Sequence, residues 1–188
     1  MIGTDLGSYG KDLGTDLIIL LKEITRIKGD YTIKIRNLHP RFLIHNIGRF
    51  KDILKTGKIS FISSSVESGS NRILDLMKRG YTIEEFKKTV SCLHTEFPEL
   101  EIRTQIMIGF PGETDKDFHD SLKLLDEISF EFTEIFLFEP RPGTLAFEMT
   151  DRVSGDVIRK RFDVLYIKAF FHEIKRKLRQ KRKAAVHA

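Results

Sequence analysis

The sequence predicts an α/β fold built on a parallel sheet, and three observations lead there. Short runs rich in Ile, Phe and Thr alternate with longer stretches whose apolar residues recur at helical spacing. Gly or a capping residue stands at most of the junctions. No two strand-like runs are joined by a tight hairpin turn, so successive strands pair through right-handed helical crossovers.

In order, Asp16 to Lys28 reads as a helix closed by Gly29, and YTIKIR (31 to 36) as a strand with Tyr31, Ile33 and Ile35 on one face. Pro40 to Thr56 reads as one helix ended by Gly57, and KISFISS (58 to 64) as the second strand. Helices are expected over Ser70 to Arg79 and Thr82 to Thr95, where Thr82 and Glu85 have capping-box spacing. EIRTQIMIG (101 to 109) is the third strand, after which Thr114 caps a helix to about Ile128 with Asp115 and Asp117 in its first turn. TEIFLF (133 to 138) is the fourth strand, followed by a loop and a long last helix from about Asp156. The opening MIGTDLGSYGKDLGT reads as a loop and supplies no strand before the first helix.

At 188 residues and 40% hydrophobic content, with fifteen Phe, the chain can bury one sizeable core. No apolar run is long enough for a membrane span and no signal-peptide pattern opens the chain, so the expected compartment is the cytoplasm, with no membrane partner. The one cysteine, Cys92, excludes an internal disulfide and any metal site built from several thiolates of this chain, and it is expected in the core. Net charge is +5, and seven of the 32 basic residues lie in KRKLRQKRK: Lys175, Arg176, Lys177, Arg179, Lys181, Arg182 and Lys183. The rest of the chain is close to neutral. The run suits a phosphate backbone, though by itself it suits a solvated helix end somewhat better.

In a parallel α/β sheet, ligands gather at the carboxyl ends of the strands, which singles out NLHP, SSVESGSN, GFPGET and EPRPGT. Gly109, Pro111 and Gly112 suit a tight turn, structural or facing a ligand; neither a Walker loop nor a dinucleotide fingerprint is present. Glu67 could accept hydrogen bonds from an amine or ribose, or serve as an acid near a helix start beside Ser68 and Ser70. Arg103 and Gln105 point to one strand face, where they suit a ligand or an internal ion pair. His39 could bind a ligand or hydrogen-bond its own turn.

Taken together, "VESGSNRILDLMKRGYTIEEFK", "IRTQIMIGFPGETDKDF" and "FEPRPGTLAFEM", with "TDLGSYGKDLGTDL" and "IRNLHP" before them, resemble the central-to-C-terminal part of the radical S-adenosylmethionine methylthiotransferases that modify tRNA. The resemblance covers roughly residues 3 to 170. It implies a partial parallel (β/α)6 TIM-like barrel with about four of six strands present. Residues 1–153 would form a truncated core of strands three to six, and residues 154–188 a C-terminal helix with a basic tail.

The family uses S-adenosylmethionine and a 4Fe-4S cluster held by three cysteines to thiomethylate an N6-modified adenosine beside the anticodon. By resemblance, Glu67, Ser68, Arg103, Gln105, Gly109 and Gly112 would line the S-adenosylmethionine side, with Arg141 and Thr144 on the rim. Glu67 stands where Gln is common in the family, and Gln105 where Asp is common. The cluster's three cysteines are absent, so the chain is expected to be a fragment that does not bind the cluster or act alone, with no catalytic or metal-ligating residue of its own. tRNA, and the missing N-terminal part or another chain, are the implied partners. Two alternatives stand beside this: an RNA- or partner-binding module, and a nonfunctional remnant.

Overall fold

The computed structural model describes Met1 and residues 5–186, with side chains through residue 178. The side chains of Arg179, Lys181, Arg182 and Lys183 lie outside the described residues. Four strands, β1 (Ile33–Ile35), β2 (Ile59–Ser63), β3 (Glu101–Ile108) and β4 (Phe132–Leu137), are ordered β1-β2-β3-β4 in one sheet. The chain groups into two compact units, Met1–Ser65 with Glu84–Arg103, and Val66–Ile83 with Thr104–Ala188, and β3 runs through both.

In the first unit, the opening segment forms two short 3-10 turns, Leu6–Ser8 and Lys11–Leu13, where the sequence predicts loop. Helix α1 (Leu17–Arg26) begins where Asp16 accepts a hydrogen bond from the Ile19 N–H at 2.8 Å. The predicted helix 40–56 is two helices, α2 (Pro40–His45) and α3 (Ile47–Leu54). Asn46 breaks it: its backbone leaves helical geometry, and both its backbone N–H and its side-chain amide donate to the Phe42 carbonyl. Asn competes in this way with the helical ladder, a choice that apolar period alone does not reveal.

Strand β1 pairs parallel with β2, and β2 pairs parallel with β3 through Phe61, Ile62 and Ser63. On the other side of β1, the Met1 amino group donates to the Lys34 carbonyl at 2.7 Å while the Arg36 N–H donates to the Met1 carbonyl at 3.2 Å. That is the bond pattern of a parallel ladder opposite Ile35. Leu17, Ile18, Leu21, Ile35, Leu43, Phe50 and Ile62 fill the core, and α5 (Ile83–Glu96) adds Phe86, Val90 and Leu93.

The second unit holds α4 (Asn71–Leu76), α6 (Asp115–Glu127), β4, α7 (Leu145–Glu148) and α8 (Gly155–Val186). Helix α7 interrupts the predicted loop because the Thr144 hydroxyl caps it, accepting from the Phe147 N–H at 3.2 Å. Helix α8 packs on β4 and α6, with Leu165 fully buried. In β3, Ile102, Thr104, Ile106 and Ile108 are buried, while Arg103, Gln105 and Met107 alternate with them on a half-exposed face. This period of two sets which side chains the site receives.

Candidate functional site

Past the end of β2 the backbone keeps contact with β3: the Glu67 N–H donates to the Gln105 carbonyl at 2.9 Å, and the Met107 N–H to the Glu67 carbonyl at 2.8 Å. Glu67 makes this bridge with φ at +67°, a left-handed conformation that favours Gly, so the surroundings hold it there. Part of the hold comes from Tyr81, whose hydroxyl donates to the carbonyl of neighbouring Val66 at 2.6 Å. The Glu67 side chain is only 15% exposed, with the Arg79 guanidinium 3.5 Å away. Burial pushes its carboxyl above the ordinary value, and Arg79 opposes that shift.

Gln105 donates through Nε2 to Glu134 on β4 at 2.8 Å. Beside them is a cavity of about 650 Å³ whose polar wall is Glu67, Gln105, Glu139, Arg141 and Thr144, with Met107, Phe136 and Phe138 among its apolar residues. A second cavity of about 330 Å³ shares Glu67, Met107 and Phe138 and is also lined by Met77, Phe110 and Leu145. The larger one is within the usual size of small-molecule sites, mostly apolar with a few convergent polar groups.

The GFPGET turn lies at the end of β3. Gly109 has φ +80°, and a Cβ there would meet Ile158 of α8 at 2.7 Å. Its N–H donates to Glu113 Oε2 at 3.0 Å, an oxygen that also accepts from Arg161 at 2.7 Å. Burial drives the Glu113 carboxyl up, against the pull of Gly109 and Arg161. Arg161 also donates to Asp115 at 2.7 Å, so one residue of α8 grips the turn and the start of α6.

Thr114 and Asp117 form a reciprocal capping box. Asp117 further accepts from the Ser70 hydroxyl at 2.6 Å and pairs with Arg72, which also donates to the Gly112 carbonyl. Burial alone would raise the Asp117 carboxyl, but Arg72, Ser70 and Thr114 hold it well below the ordinary range. Sequence reasoning found the helix start here and missed Arg72, Arg79, Glu134 and Arg161. Their partners lie between 12 and 48 positions away in the chain, and nothing in local spacing signals such pairs.

Of the sequence-predicted residues, Glu67, Gln105, Arg141 and Thr144 share the larger cavity. Gly109 and Gly112 shape the turn without lining either cavity. Ser68 is fully buried and directed away, accepting from the Ser70 N–H at 3.1 Å with Ser121 Oγ 3.4 Å distant. Arg103, in the first unit, lies over the Phe61 ring at 4.9 Å and 3.6 Å from Glu101. His39 accepts from the Arg41 N–H and so serves its own turn.

In the basic run, Arg176 pairs with Glu131 and Lys177 with Glu173, while Lys175 is exposed. Cys92 is not a core residue as the sequence suggests. It is half-buried on α5, and its thiol donates to Glu96 at 3.1 Å beside Lys51. A single thiol so placed is not a ligand set for an iron–sulfur cluster, which needs several thiolates together. Among the described residues, no helix is long and apolar enough to cross a membrane.

A four-stranded sheet in which β1, β2 and β3 run parallel, with helices between the strands and a ligand-sized cavity beside β3 and β4 in the second unit, defines the class: an α/β protein of TIM-like type. The chain belongs to the Radical SAM superfamily, whose family model matches residues 4–125. Over 171 residues, 88% of its length, it is 39% identical to a tRNA-2-methylthio-N(6)-dimethylallyladenosine synthase of Pelotomaculum thermopropionicum, covering 37% of that protein. Over 163 residues, 86% of its length, it is 37% identical to a probable threonylcarbamoyladenosine tRNA methylthiotransferase of Pyrococcus horikoshii, covering 38%. The chain thus spans little more than one third of these relatives. The fold resembles coproporphyrinogen III oxidase of Escherichia coli, with a TM-score of 0.61 at 19% identity over 81% of this chain and 36% of the other.

Proposed function

We propose that this chain forms part of a radical S-adenosylmethionine methylthiotransferase acting on tRNA in the cytoplasm, at an N6-substituted adenosine beside the anticodon. Its share of the work is the cofactor wall. One observation carries the reading: in a chain related to tRNA methylthiotransferases, Glu67, Gln105 and Arg141 converge on one cavity of about 650 Å³.

The donor set fits S-adenosylmethionine. The Glu67 carboxylate suits an ammonium or a ribose hydroxyl, and the Arg141 guanidinium suits a carboxylate. Gln105, whose amide donates to Glu134, adds a polar group to the cavity wall. Met107, Phe136 and Phe138 give an apolar face against which a base can pack.

Bound to an iron–sulfur cluster, this cofactor supplies a radical. Cys92 alone does not hold that cluster, so the chain by itself binds and orients, and thiolates from elsewhere complete the site.

Equilibrium dialysis of the purified chain with labelled S-adenosylmethionine tests this. Saturable binding should weaken roughly tenfold or more in Glu67→Ala and in Arg141→Ala, as loss of a charged contact predicts. No binding by the parent chain, or undiminished binding in both variants, sinks the reading. Anaerobic reconstitution with iron and sulfide should leave the chain colourless.

The exposed Lys175 favours a second reading, an RNA-binding module. Neutralising the basic run should then flatten the salt dependence of tRNA binding.

A further inference from the structure

Glu67 is a wall shared by two cavities. It lines the larger one with Gln105 and Arg141, and the smaller one with Met77 and Phe110. Arg79 lines the smaller cavity only, so its guanidinium meets the Glu67 carboxylate from there and leaves the larger cavity to a ligand. Among the described residues, Arg79 is the cation within ion-pair distance of Glu67, 3.5 Å away, and both side chains are largely buried.

The turn after α4 is shaped to deliver that guanidinium. Helix α4 ends at Leu76, and Lys78 and Gly80 then take left-handed φ values of +53° and +69°. Between them the Arg79 N–H donates to the Leu74 carbonyl at 2.9 Å, which turns the chain back toward α4. Lys78 bears a conformation that favours Gly, so packing and not local preference sets the turn. Two residues after Arg79, the Tyr81 hydroxyl accepts from Arg79 and donates to the Val66 carbonyl at 2.6 Å. One turn therefore holds Glu67 twice, by its carboxylate and by the backbone just before it.

A buried carboxylate with no cation beside it takes up a proton, and a neutral acid is a poor acceptor for a cationic group. Arginine keeps its charge throughout the pH range in which proteins stay folded. The other groups about Glu67 do not replace it. Tyr81 is neutral, its hydroxyl pushed well up by burial. Glu134, which holds Gln105, and Glu139 on the larger cavity's wall are acids, Arg141 lies across that cavity's lining, and Lys78 is exposed.

We propose that Arg79 is a positioning residue: it keeps the Glu67 carboxylate ionised and in place, so that the larger cavity presents a negative charge to a cationic ligand. The inference rests on the reading of that cavity as a wall for S-adenosylmethionine, whose ammonium and sulfonium groups carry the positive charge.

The test compares the parent chain with Arg79→Met, Arg79→Gln and Arg79→Lys, each checked for folding by circular dichroism. Equilibrium dialysis with labelled S-adenosylmethionine is run from about pH 5 to about pH 8. Binding that needs ionised Glu67 is present above the carboxyl's folded value and is lost as pH falls through it. In the two neutral variants the pH of half-maximal binding should rise by about one unit or more, and Arg79→Lys should return it towards the parent. A second readout needs no ligand: the NMR shift of the Glu67 carboxyl carbon, assigned with Glu67→Gln, should titrate higher by the same amount.

An affinity loss equal at every pH, with the midpoint unmoved, would show a merely structural role and overturns the proposal. If the parent chain binds no S-adenosylmethionine at any pH, the cofactor reading falls, and the carboxyl titration decides this proposal by itself. An unmoved Glu67 then overturns it, and an upward shift sustains it.

Discussion

The guanidinium of Arg161 stands 2.7 Å from the carboxylate of Glu113, and both side chains are buried, at 7% and 1% exposure. Through this contact α8 holds the turn that follows β3, because the same Glu113 oxygen receives the Gly109 N–H. A long helix and a tight turn therefore form one structural element.

Removing one partner of that pair strands the other charge in a dry site. Arg161→Leu should lower stability by about 3–5 kcal/mol in urea unfolding, and Glu113→Leu added to it should recover a large part of the loss. Additive losses would show that the two side chains do not depend on each other.

The contact between Gly109 and Ile158 makes a steric prediction. Gly109→Ala adds a methyl 2.7 Å from Ile158 at φ +80° and should cost about 1–3 kcal/mol. In an Ile158→Ala background the steric part disappears and the backbone part remains, so a double-mutant cycle should show coupling of about 1 kcal/mol.

Asp117 sets an acid limit. Its folded value lies below the ordinary 3.8, so its contribution is complete above that value and is lost as pH falls towards the folded value. Denaturation measured from about pH 5 to about pH 2 should show Asp117→Asn less stable at the upper end, with a shallower decline below it. Parallel curves for the two proteins would remove Asp117 from the acid response.

Tyr81→Phe leaves the buried Val66 carbonyl without its 2.6 Å donor and should cost about 1–2 kcal/mol in thermal or urea unfolding. Because Val66 precedes the left-handed Glu67, the proposed S-adenosylmethionine binding should weaken as well. Reduced stability with unchanged binding would separate the hydrogen bond from the position of Glu67.

Much of the fold was legible because its signals are local. Asp16 and Thr114 mark helix starts by side chains that reach backbone N–H groups three positions on. β3 shows its two faces as strict alternation from Ile102 to Ile108. The break at Asn46 was missed because an apolar stripe continues across it, and α7 because four residues give no period to read.

The site divides in the same way. Glu67, Arg141 and Thr144 could be named from loops that follow strands, since every strand's carboxyl end in a parallel sheet faces the same rim, and Gln105 from the alternation within β3. That Ser68 turns away, that Arg103 lies over Phe61, and that Glu134 holds Gln105 depended on backbone direction and on pairs distant in the chain.

The sequence by itself determined the α/β order, the turn at Gly109 and Gly112, and the presence of one thiol, because period, backbone freedom and composition are properties of neighbouring residues or of simple counts. Tertiary structure alone decided that Arg161 closes on Glu113 and that Arg79 meets Glu67. Ion-pair partners and burial are fixed by which elements pack together, and the residues around an arginine do not say which carboxylate it will reach.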